Sequence, residues 1–141
     1  MPPGGSRMRV MIDTNVLLSA VIFRSSNSVG VIVDAGRGDN TLLLSTYTID
    51  EAREVVARKW PARTGVLEQY LFELSFETVV TPLTPKPGLF EIRDPLDYPV
   101  LYSAIAGAAD VFVTGDKDFD DVTVSSPSIV TPSEYMSLFA R

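Results

Sequence analysis

From Arg9 to Ile12 the chain is mostly apolar and stops at Asp13, after which Val16, Leu17, Ala20 and Val21 recur at the spacing of one helix face. The pattern predicts a strand followed by a helix. Ser28 is placed as the cap of a second helix through Val29, Ile32, Val33 and Ala35, ended by Gly36 and Gly38. Thr41 to Ser45 reads as the next strand, and Thr48 with Glu51 three residues later reads as a capping box opening a helix that stops before Pro61. Leu67, Tyr70, Leu71 and Leu74 give a further amphipathic helix, and Glu77 to Thr81 a third strand. Pro82, Pro85, Pro87 and Pro95 then exclude regular structure over a long stretch.

Pro99 suits the first turn of a helix whose buried face would be Leu101, Ala104, Ile105 and Ala108. Val111 to Thr114 is a short strand, a weaker one lies near Ile129 and Val130, and Thr131-Pro132-Ser133-Glu134 is a capping box for a C-terminal helix. Strands that alternate with helices imply a mostly parallel central sheet of four to five strands with helices on both faces. In such sheets ligands bind beyond the carboxyl ends of the strands. Asp13 and Asp116 fall at that edge, Glu51 enters the helix after the second strand, and Asp97 starts the helix that feeds the fourth.

Residues 1–7 offer turn formers and nothing to bury, so they read as a flexible leader before a single domain over 8–141. Asp13 and Asn15 interrupt the early apolar run, and no stretch approaches the ~18 continuous apolar residues of a membrane span, so a cytoplasmic protein is expected. The 141 residues hold no Cys and no His, which excludes disulfides, thiolate nucleophiles, Ser-His-Asp triads and His-based zinc sites. Catalysis must then use carboxylates, hydroxyls, amides, Lys or Arg. The net charge is −6, and from Glu91 to Asp121 there are eight acids against Arg93 and Lys117, so that stretch alone accounts for the excess.

Gathered carboxylates need a counterion. At an effective dielectric of ~20, two like charges ~6 Å apart repel by roughly 3 kcal/mol, which a divalent cation or proton uptake would offset. Ligands that offer only oxygen select hard ions, so Mg²⁺ or Mn²⁺ is favoured, and the chemistry implied is metal-assisted phosphodiester hydrolysis. Each acid also has a local explanation. Asp13 can cap the first helix, Glu51 can close a capping box with Thr48, Asp97 can cap the helix containing Pro99, and Asp116, Asp118, Asp120 and Asp121 can form a solvated turn. Those explanations do not account for acids at matching ends of several strand-helix units.

The motifs resemble the PIN-domain family, especially its small bacterial members described as toxins of toxin-antitoxin pairs. Val10-Met11-Ile12-Asp13-Thr14-Asn15-Val16-Leu17 is similar to the family's opening strand and Asp-Thr-Asn motif. Ser45 to Val56, with Glu51, is similar to its second motif, Arg93-Asp94-Pro95-Leu96-Asp97 to its third, and Val113-Thr114-Gly115-Asp116-Lys117-Asp118-Phe119 to its fourth. One departure is Tyr98, where Asp or Asn is commoner, which leaves Asp94 as a competitor to Asp97.

The resemblance implies a Rossmann-like α/β/α sandwich and an endoribonuclease that depends on Mg²⁺ or Mn²⁺. Its acidic cluster would be Asp13, Glu51, Asp97 and Asp116, with Asp118 as an additional ligand and Asn15 and Thr114 as supporting polar residues. It also implies an RNA substrate, an antitoxin partner and a homodimer. Arg24, Arg53, Arg58, Lys59, Arg93 and Lys117 are the candidate phosphate contacts, since an acidic chain gains no general advantage on a polyanion. Two rival readings are a non-catalytic PIN-like module that binds protein and an Asp-based phosphohydrolase or phosphotransferase. Asp13-Thr14-Asn15 lacks the second Asp of the haloacid-dehalogenase nucleophile motif, and no Gly-rich nucleotide fingerprint is present.

Overall fold

A computed structural model describes residues 7–83, 88–92 and 95–140. Five parallel strands form one sheet: β1 Arg9–Ile12, β2 Thr41–Ser45, β3 Glu77–Val79, β4 Val111–Val113 and β5 Ser128–Val130, in spatial order β3-β2-β1-β4-β5. Six helices connect and follow them: α1 Thr14–Val21, α2 Ser26–Ala35, α3 Thr46–Lys59, α4 Thr64–Glu73, α5 Tyr98–Ala106 and α6 Pro132–Leu138.

The central strands β1, β2 and β4 are mostly apolar because both sheet faces are covered there. Val10 and Ile12 of β1, Leu42 and Leu44 of β2, and Val111 and Val113 of β4 face one side. They pack there under Leu17 of α1, Ile32 of α2, Val56 of α3, Leu67 of α4 and Tyr135 of α6. The alternate residues Met11, Leu43 and Phe112 face the other side, under Leu101 and Ala104 of α5 and the rings of Phe90 and Phe119. Each fully buried side chain of this size contributes roughly 1.5–3 kcal/mol, so a one-residue slip in a central strand would exchange two filled faces. The pattern predicts a mostly parallel sheet of four to five strands with helices on both faces, and the structure has five strands, all parallel, covered on both faces.

Four details differ from the sequence expectation. Helix α2 begins at Ser26, and Ser28 lies inside it, buried. Four consecutive polar residues, Ser25 to Ser28, all suit a helix start, so composition could not pick the first turn. Strand β3 ends at Val79, and Thr81 leaves the ladder to accept hydrogen bonds from the Tyr47 N–H at 3.1 Å and the Ser103 hydroxyl at 2.9 Å. Helix α5 ends at Ala106 with Gly107 as its cap, and Ala108 lies beyond it, exposed and in a left-handed conformation with φ 55°. It is therefore not part of the buried face. Pro95 opens a 3₁₀ turn, Pro95–Asp97, where irregular chain was expected.

Residues 1–6 of the expected leader 1–7, together with Pro85, Pro87, Arg93 and Asp94, lie outside the described residues. Among the described residues no single helix is long and apolar enough to cross a membrane.

Candidate active site

The strand order reverses between β1 and β4, whose carboxyl ends therefore open a crevice. Asp13 follows β1 and caps α1, its Oδ1 accepting from the Val16 N–H at 2.8 Å. Its Oδ2 accepts from the Thr114 hydroxyl, which follows β4. Thr114 Oγ also accepts from the Asp116 N–H at 3.0 Å, so one hydroxyl ties the first and fourth acids. Asp116 in turn caps the 3₁₀ turn Lys117–Phe119, accepting from the Asp118 N–H at 2.9 Å. For these two acids, capping and a place in the crevice coexist.

Glu51 arrives differently from the sequence expectation. Helix α3 begins directly after β2 and is capped by Ser45, whose hydroxyl accepts from the Thr48 N–H at 3.0 Å. Thr48 thus lies within the first turn, and the Thr48–Glu51 capping box does not form. Glu51 sits in the second turn and accepts from the Thr14 hydroxyl. Asp97 ends the Pro95–Asp97 turn at the head of α5 without making a side-chain cap bond, so the capping explanation for it fails as well.

These placements bring Asp13, Glu51, Asp97 and Asp116, with Thr14 and Asn15, onto one cleft of about 120 Å³. Val55, Val100 and Phe119 form its apolar wall, and among the described residues no Lys or Arg lines it. Asp118 stands at its margin. Asp97, Asp116 and Asp118 each offer a carboxylate oxygen within 4.8 Å of the others. A larger groove of about 520 Å³ beside α3 and α4 holds Arg53 and one acid, Glu68, which pair with each other at 2.9 Å.

The electrostatics match the geometry. Burial pushes the Asp13 carboxyl up from 3.8 to about 6, and the nearby charges of Asp116 and Glu51 push the same way, against the hydrogen bonds from Thr114 and Val16. Among the described residues no basic side chain lines the cleft to supply a countercharge. An all-oxygen donor set of several carboxylates fits a divalent hard cation.

Thr14 was not singled out from sequence. It stands in the Asp-Thr-Asn motif, but its acceptor Glu51 is 37 positions away, a contact that only the fold provides. Two other acids are placed away from the cleft. Asp110 accepts from the Arg9 N–H at 2.9 Å beside the amino end of β1. Asp34, buried in α2, accepts from the Tyr135 hydroxyl at 2.6 Å, which fastens α6 to α2.

A family model described as PIN domain matches residues 9–118. No curated protein sequence matches the chain. Among solved structures it is similar to the crystal structure of VapBC2 from Rickettsia felis bound to a DNA fragment from their promoter. The TM-score is 0.62 at 15% identity, covering 87% of this chain and 97% of that one.

Proposed function

The chain belongs to the PIN domain family, and from that premise we propose that it is an endoribonuclease dependent on Mg²⁺ or Mn²⁺, acting as the toxin of a toxin-antitoxin pair. The observation that carries the proposal is the meeting of Asp13, Glu51, Asp97 and Asp116 in one cleft. In this reading Asp13, Asp97 and Asp116 would hold the ion, with Asp118 as a further ligand. When bound, the ion would supply Lewis acidity, making water a better nucleophile and stabilising charge on the phosphoryl oxygens.

The chain's own residues do the rest. Thr114 fixes Asp13 and the Asp116 backbone together, so the two ligands keep their spacing. Thr14 holds the Glu51 carboxylate in the cleft, where it orients the attacking water and takes its proton. Asn15, exposed at the mouth, donates to the substrate's phosphate oxygens. Water attacks phosphorus as the bond to the 3′ oxygen breaks, and the departing oxygen takes a proton from solvent. The products are a 5′-phosphate and a 3′-hydroxyl.

The same reading takes residues 8–141 as one cytoplasmic domain that forms a homodimer and is held inactive by an antitoxin. The similar structure carries a two-part name, VapBC2, and is bound to promoter DNA. That supports an antitoxin partner for this chain.

Labelled single-stranded RNA incubated with the protein and Mn²⁺ tests the activity. The wild type should release 5′-phosphorylated fragments, EDTA should stop it, and Asp116→Asn should abolish it. Binding to a partner protein without turnover of RNA would instead support the non-catalytic module.

A further inference from the structure

Two helices lead away from the cleft side by side. Helices α1 and α3 start directly after the neighbouring strands β1 and β2, and they pack against each other. Asn15 on α1 and Glu51 and Val55 on α3 line the cleft. Phe23 lies eight positions after Asn15, and Lys59 eight after Glu51. At about 1.5 Å of rise per residue, Lys59 stands about 12 Å farther along α3, and Phe23 lies two residues beyond the end of α1.

An aromatic and basic patch occupies that far end. Phe23 meets Trp60 edge-on, with ring centroids 5.4 Å apart, while remaining 64% exposed. The Lys59 ammonium lies 5.9 Å from the centre of the Trp60 ring. Arg24 follows Phe23 in a left-handed conformation, φ 56°, and Arg63 closes the short turn Pro61–Arg63 after Trp60. Arg24, Lys59 and Arg63 are all exposed, and among the described residues none of them forms an ion pair. Lys59 meets the Trp60 ring, and Arg24 and Arg63 lie next to Phe23 and near Trp60 in sequence, three exposed cations in a chain whose net charge is −6.

Such a combination is what an unpaired nucleic-acid strand uses, with bases stacking on rings and phosphates meeting Lys and Arg. We infer that Phe23 and Trp60, with Arg24, Lys59 and Arg63, form a second binding site for single-stranded RNA. It receives the nucleotides flanking the scissile phosphate while that phosphate occupies the cleft. The inference rests on the ribonuclease reading for the role of the strand but not for the presence of the site. It explains how an acidic protein holds a polyanion: the cleft would take one phosphate once it holds a cation, and the patch anchors the neighbouring ones. An acidic protein segment is the competing occupant, and the charge pattern gives it no base-stacking role for the exposed Phe23 ring.

The test is anisotropy of a fluorescein-labelled single-stranded oligouridylate with the full chain in EDTA, so that binding is read apart from turnover. Phe23→Ala should weaken binding by about five-fold or more at every salt concentration. Arg24→Glu/Lys59→Glu should weaken it and also flatten the salt dependence, by about 1.4 in the slope of log K against log salt for two lost phosphate contacts. Circular dichroism checks that each variant is folded, and Phe23 and the three cations are exposed enough for substitution to be tolerated. Wild-type affinity in both variants, or no binding by the wild type, overturns the inference. A protein partner that protects the patch while RNA binding is unchanged overturns it too. Patch-dependent binding without any Mn²⁺-dependent cleavage keeps the strand site and removes the ribonuclease reading.

Discussion

Asp13→Asn should make the metal-free protein more stable at neutral pH, although it removes a group placed at the centre of the site. Asp13 is buried, and its carboxyl is raised from 3.8 to about 6. Between those pH values the folded protein keeps a proton that the unfolded chain has lost, so stability falls as pH rises through the window. The penalty is absent below about pH 4 and complete above about pH 6. At about 1.4 kcal/mol per unit it amounts to roughly 3 kcal/mol.

Asparagine keeps the acceptor for the Val16 N–H and offers an N–H toward Thr114, so the cap survives and the charge goes. Urea unfolding in EDTA should show Asp13→Asn more stable than the wild type by about 1–3 kcal/mol near pH 7.5, with the difference shrinking toward zero near pH 4. Adding Mn²⁺ should raise the wild-type midpoint and leave the variant's almost unchanged. A variant less stable than the wild type at pH 7.5, or a difference independent of pH, would refute the argument that the buried charge is held against a cost that metal relieves.

Thr14→Val should leave folding intact and lower RNA cleavage about ten-fold or more, because Glu51 loses the hydroxyl that orients it; equal kcat in the two proteins would remove Thr14 from the site. Tyr135→Phe leaves the buried Asp34 carboxylate without its 2.6 Å donor and should cost about 1–3 kcal/mol in urea unfolding while cleavage per folded molecule is unchanged. Ala108→Gly should stabilise the protein by about 1 kcal/mol, since glycine adopts the left-handed φ of 55° without strain, and a lower thermal midpoint would contradict this.

The sheet was legible because β1, β2 and β4 are short apolar runs bounded by polar residues, and parallel strands buried on both faces need no alternation. Strand ends were read less well. Thr81 looked like strand and instead bonds to Tyr47 and Ser103, a pairing that no local pattern encodes. The four acids could be named from their places after strands and before helices. How each is held could not. Thr48 and Glu51 carry the spacing of a capping box, yet Ser45 reaches the helix first because α3 starts without a loop after β2. That displacement turns Glu51 from a cap into a cleft residue held by Thr14. The acidic block between Glu91 and Asp121 likewise divides once folded, with Asp97, Asp116 and Asp118 at the carboxyl edge of the sheet and Asp110 beside Arg9 at the amino edge.

Crystals soaked in Mn²⁺ and measured for anomalous scattering test the central claim most directly, because they locate the cation and count it without reference to a substrate. At least one strong peak is expected in the cleft, within coordination distance of carboxylate oxygens from Asp116 and Asp13 or Asp97, and absent in Asp116→Asn crystals. A cleft without a peak under saturating Mn²⁺, or a peak only at surface acids such as Asp120 and Asp121, would contradict the account.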